Sequence, residues 1–136
     1  MAKKPEATFW DWLDRAMGNL WDAQRHEDLH SSGIPDVSYG ANGINGWLEL
    51  KAYECWPTGT LPHFTAKQVN WLTNRGKRGG FCFLVIKVHH GIFVFNWENL
   101  EAVYECRGKD EILKYVSYSW IGNFSPKDFL HRITSK

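Results

Sequence analysis

The stretch from Ile34 to Lys51, IPDVSYGANGINGWLELK, constrains the fold more than any other part of the chain. Its Asn42-Gly43 dipeptide is the pair that most favours a two-residue type I′ hairpin, because both central residues must take positive φ. With the turn centred there, antiparallel pairing sets Ser38 opposite Trp47, Val37 opposite Leu48 and Asp36 opposite Glu49. Side chains alternate along a strand, so Asp36, Glu49 and Lys51 share one face while Val37, Leu48 and Leu50 share the other. Like charges directly opposite in a sheet repel, and two carboxylates that close need a proton, a cation or solvent. A divalent metal ion meets that need. Mg²⁺ is typically held by one or two carboxylates with waters and substrate phosphates, which leaves room for Lys51 to act beside it.

Pro35-Asp36 followed by Glu49-Leu50-Lys51 resembles the PD-(D/E)xK nuclease signature. The run from Gly33 to Tyr39, together with Gly46 to Lys51, is similar to small phage and VRR-NUC-type members related to Holliday junction resolvases. In those families a Gln follows on the next helix, and Phe64-Thr-Ala-Lys-Gln68-Val-Asn-Trp71-Leu supplies one. The similarity spans the chain from Arg25 to Val88. It implies an α/β fold with the restriction-endonuclease-like αβββαβ core, a mixed central sheet flanked by helices and extra helices at the C-terminal end. It implies a DNA endonuclease that hydrolyses phosphodiester bonds with Mg²⁺ or Mn²⁺. One or two ions would be held by Asp36, Glu49 and the carbonyl of Leu50, with Lys51 orienting the nucleophile or stabilising charge and Gln68 orienting the attacking water or a phosphate. Family members often carry a further acid on the first helix or just after it, and Glu27 is the best match, with Asp22 second. Branched DNA such as a Holliday junction, or duplex, is the implied partner. Cutting two strands of a junction takes two sites, so a homodimer is expected for that substrate.

A different class keeps the fold without the turnover: a DNA-binding or accessory protein that cuts weakly or only with a partner. The intact acid, acid and lysine set favours catalysis. A third class is raised by His26-Glu27-Asp-Leu-His30, which matches the HExxH zinc-peptidase pattern, with Asp36 where a further ligand would sit. Three features count against it. Only 25 residues precede the motif, too few for the sheet that backs a zinc-peptidase helix. Ser31-Ser32-Gly33-Ile34-Pro35 breaks the helix at the second His. The Met-turn that a third-ligand zinc peptidase requires has no counterpart, since the Met residues are Met1 and Met17.

At 136 residues the chain is expected to be one domain, 1–136, long enough for a real core but not for two. Net charge is +1, so no global nucleic-acid bias shows, but Arg75-Gly-Lys77-Arg78-Gly-Gly is a basic, flexible run suited to phosphate contacts. Eight Trp residues fill a small core or, where exposed, stack on bases. Cys55, Cys82 and Cys106 show no CxxC spacing and leave an odd thiol, which argues against a zinc ribbon or a disulfide framework and for a reducing cytoplasm, that of the host cell if phage-encoded. No apolar run reaches a membrane span, and Met-Ala-Lys-Lys-Pro does not lead into a signal h-region.

Along the chain, Trp10, Leu13, Met17, Leu20 and Trp21 recur at helical spacing and predict a helix from Ala7 to about Arg25. Residues 52–62 read as an irregular loop. Thr65 is a candidate N-cap for a helix through about Asn74. The continuous apolar run from Phe81 to Val88 predicts a central strand paired with the hairpin, and His89-His90-Gly91 a turn into a strand over Ile92 to Phe95. Trp97 to Glu105 reads as a helix with Leu100, Val103 and Tyr104 inward. Residues 112–120 fit helix and strand equally, and Ser125-Pro126 opens a last helix.

Overall fold

Apolar residues three and four apart build the first helix, α1 (Pro5–Met17), which buries Phe9, Leu13 and Met17; the computed structural model describes residues 5–27 and 33–135. The helix is shorter than predicted. Gly18 takes φ +53°, a 3₁₀ turn follows at Gly18–Leu20, and Asp22–Arg25 leaves as strand β1. Pairing with a neighbouring strand has here overridden the helical spacing of the sequence.

The hairpin forms as its turn dictates. β2 (Val37–Ala41) and β3 (Ile44–Tyr53) pair with Val37 opposite Leu48 and Ser38 opposite Trp47. Asn42 and Gly43 have φ of +54° and +78°, the pair of left-handed residues that type I′ requires. Helix α2 (Ala66–Lys77) then crosses over to β4 (Phe81–Val88), which lies parallel to β3, a relation that no tight turn could make. Thr65 caps α2 by accepting from the Gln68 N–H, and Gln68 Oε1 accepts from the Thr65 N–H in return. The helix continues past Asn74 through Arg75 and Lys77, so the first half of the basic run is helical and the rest, from Arg78, is turn.

β5 (Gly91–Asn96) returns antiparallel to β4, and a 3₁₀ turn (Trp97–Asn99) leads into α3 (Leu100–Glu105) and α4 (Gly108–Leu113). Leu100 and Val103 are buried as expected, whereas Tyr104 is 38% exposed and rests its ring edge on Phe64. The ambiguous residues 112–120 divide into the end of α4 and strand β6 (Tyr118–Ile121), antiparallel to β5. Ser125 caps α5 (Pro126–Ile133) by accepting from the Asp128 N–H.

The result is a mixed sheet of six described strands in the order β1-β2-β3-β4-β5-β6, flanked by helices. Its strands alternate between two apolar layers. Val37, Leu48, Leu50, Phe83 and Val85 pack with α1 and α5, while Leu84, Ile86 and Phe95 pack with α2, α3 and α4. β4 is buried on both faces, which accounts for its unbroken apolar sequence. Glu49 and Lys51 point into the α2 layer, at the end of the hairpin away from its turn. All three cysteines are free thiols, and burial pushes Cys82 up to about 12. Among the described residues no helix is long and apolar enough to cross a membrane.

Candidate active site

Extending the hairpin register by one residue brings Asp36 to Glu49, and the two carboxyls interact directly. Asp36 precedes the first paired residue of β2. Its Oδ2 accepts the Leu50 N–H at 2.9 Å, taking the place of a main-chain partner where the ladder ends. Gly33 sets up this approach: φ is +84°, and a Cβ there would stand 2.5 Å from the Lys67 carbonyl oxygen in the first turn of α2. Only a residue without a side chain lets the strand entry press so closely on that helix.

Glu49 is 1% exposed, and its Oε1 has no hydrogen-bond partner. Its Oε2 lies 3.2 Å from Lys51 Nζ, and the ammonium also donates to the His63 carbonyl at 2.8 Å. His63 presents that carbonyl from a left-handed backbone, φ +63°. Burial holds the Glu49 carboxyl well above the usual carboxylate range; the charge of Asp36 adds to the rise, and Lys51 opposes it. Lys51 pairs with Glu49, so two ionised acids beside this one ammonium leave a net negative charge among the three.

These residues fit a hard divalent cation. An unpartnered, desolvated carboxylate oxygen is costly unless something positive meets it, and Mg²⁺ or Mn²⁺ needs as few as one or two protein carboxylates. Alternation along β3 directs the main-chain groups of Leu50 towards β2, beyond the last β2 partner, so its carbonyl lies on the side of Asp36. Among the described residues no group of three or more His, Cys, Asp or Glu side chains converges.

Glu27, the further acid expected, lies just beyond β1 and is exposed. The chain from Asp22 to Arg25 is a strand, and His26 continues it by donating its N–H to the Asp36 carbonyl at 2.7 Å. It is His26 whose ring comes to the face carrying Asp36, where Nε2 is 2.7 Å from Ser38 Oγ and the imidazole packs 5.3 Å from Trp47. Glu27 and Asp22 are exposed, and among the described residues neither belongs to a group of three or more His, Cys, Asp or Glu side chains. The zinc-peptidase pattern loses its helix for the same reason, since His26 and Glu27 are not helical; His30 lies outside the described residues.

Gln68 stands on the first turn of α2 with its amide oxygen committed to the cap and its Nε2 not spent on that bond. Of the basic run, Arg75 lies 4.4 Å over the Trp71 ring and 5.6 Å from that of Trp47, while Arg78 donates to the Asn74 carbonyl. Lys77 is exposed. Sequence reasoning missed the part of His63, because a backbone carbonyl leaves no signal in residue type. It also passed over Trp47, which a period of two from Glu49 could have placed on the site face.

This architecture has a counterpart among solved structures. Hjc of Archaeoglobus fulgidus, a Holliday junction resolvase from an archaeal hyperthermophile, matches with a TM-score of 0.52 over 68% of this chain and 75% of its own, at 18% identity. The fold is restriction-endonuclease-like. At that identity the likeness speaks for the fold alone. No family model and no curated protein matches the sequence.

Proposed function

We propose that this chain is a divalent-metal-dependent DNA endonuclease that hydrolyses phosphodiester bonds in branched DNA. The observation that carries the reading is the buried Glu49 Oε1 without a partner, set beside Asp36 and next to a lysine whose ammonium is already tethered. Asp36, Glu49 and the Leu50 carbonyl would hold Mg²⁺ or Mn²⁺. The ion, when bound, supplies Lewis acidity at the scissile phosphate.

The chain's own groups do the rest. Lys51, fixed between Glu49 and the His63 carbonyl, places a positive charge where the phosphoryl oxygens gain negative charge in the transition state, and pre-set charge of this kind is the larger part of such catalysis. Gln68 Nε2 is the donor that orients the attacking water or a phosphate oxygen. Arg75, Lys77 and Arg78 hold the flanking backbone phosphates. The branched substrate is carried over from the structural neighbour, a Holliday junction resolvase. Symmetric cutting of a junction then needs two copies of the chain.

A panel of four-way, flap, duplex and single-stranded DNAs, each tried with Mg²⁺ and with Mn²⁺, tests the proposal. Cleavage of branched DNA that disappears in Asp36→Ala and in Lys51→Ala, with circular dichroism unchanged, is the expected result. Full cleavage by either variant refutes the assignment, and metal-independent binding without any cutting would point to the accessory role.

A further inference from the structure

Beside the acidic pair runs a row of flat side chains, of which only Arg75 has been given a part above, as a phosphate contact. His26 packs on Trp47 at 5.3 Å, Trp47 meets Trp71 edge-on at 4.9 Å, and the Arg75 guanidinium lies 4.4 Å over Trp71. Trp47 precedes Glu49 by two residues on the same face of β3, so the row begins about 7 Å from the acid along the strand. It ends at a shallow concavity of about 310 Å³ lined by Trp71, Asn74, Arg75 and Arg78.

Arg75 is exposed, and no acid among the described residues ion-pairs with Arg75, Lys77 or Arg78. A cation that lies over two indoles and ion-pairs with no acid among the described residues keeps donors for an anion. Phosphate contacts alone would not need indoles, since a run of lysines supplies the same charge. A base inside a duplex has both faces covered by its neighbours. An unstacked base has a free face, and bases of single strands stack on aromatic rings and on arginine planes alike.

We propose that the Arg75–Trp71 stack is the seat of an unpaired nucleobase next to the cleaved phosphate, so that the substrate presents single-stranded or splayed nucleotides at the site. Asn74 lies in the concavity to meet the base edge, and Arg78 to meet its phosphate. The position of the seat relative to the cut rests on the endonuclease reading; the seat itself does not.

The test is binding, read by fluorescence anisotropy with Asp36→Asn protein, so that the DNA stays intact. Three labelled DNAs are compared at one salt concentration: a single strand, the same strand with abasic residues, and a blunt duplex. The intact strand should bind about tenfold or more tighter than the abasic one. That difference should vanish in Trp71→Ala, survive in Trp71→Phe and shrink in the surface variant Arg75→Gln. Equal binding of intact and abasic strands by the parent protein overturns the proposal, whatever the variants do. Cleavage by the wild-type protein alongside that equality removes the seat and leaves the nuclease. Base-dependent binding without cleavage in Mg²⁺ or Mn²⁺ supports the seat and removes the nuclease.

Discussion

Glu49 is a carboxyl whose folded environment favours the proton. Burial and the neighbouring Asp36 raise its pKa above the value it has in the unfolded chain, so its contribution to stability is complete at low pH and is lost as pH rises through the raised value. Metal-free protein should accordingly gain about 3 °C or more in melting temperature at neutral pH on Glu49→Gln. Divalent ions should raise the melting temperature of the wild type and not that of the variant. A thermal scan with and without MgCl₂ reads both effects, and a metal-free Glu49→Gln protein that melts below the wild type would contradict the burial argument. Binding the ion requires the ionised carboxylate, so cleavage should fall on acidification at a pH above the ordinary glutamate range. A pH–rate profile that is flat down to that range speaks against Glu49 as a ligand.

At the start of α2, Gln68 has two employments that a substitution can separate. Glutamate serves at the third helical position of a capping box as well as glutamine does, but it has no amide donor. Gln68→Glu should therefore keep the melting temperature and lose cleavage, whereas Thr65→Ala should cost about 1 kcal/mol of stability through the lost cap. Unimpaired cleavage by Gln68→Glu would leave the residue with the cap alone. The elements the sequence announced most clearly were those set by local chemistry: the Asn42-Gly43 hairpin, the Thr65 and Ser125 caps, and the apolar strand over Phe81 to Val88. β1 was hidden because its four residues, Asp-Ala-Gln-Arg, lack an apolar alternation and read as the polar end of the preceding helix, and its stability comes from pairing with β2. As a strand, the segment turns the His26 ring to the face that carries Asp36.

Across the whole molecule the sheet separates two apolar layers, one under α1 and α5 and the other under α2, α3 and α4. Ile133 belongs to the first and Ile112 to the second, and both are fully buried. Ile133→Val and Ile112→Val should each cost about 1 kcal/mol, and the double variant should show their sum within about 0.5 kcal/mol in urea unfolding. A larger discrepancy would mean that the layers communicate through the sheet. Asp36 links this architecture to the chemistry, because its Oδ2 also takes the Leu50 N–H just past the end of the β2–β3 ladder. An alanine in its place silences the acid and at the same time strands an amide at the sheet margin. Asparagine keeps the acceptor and discards only the charge. A descendant of this protein that gave up cutting but stayed folded would have an easy route through that one atom's difference.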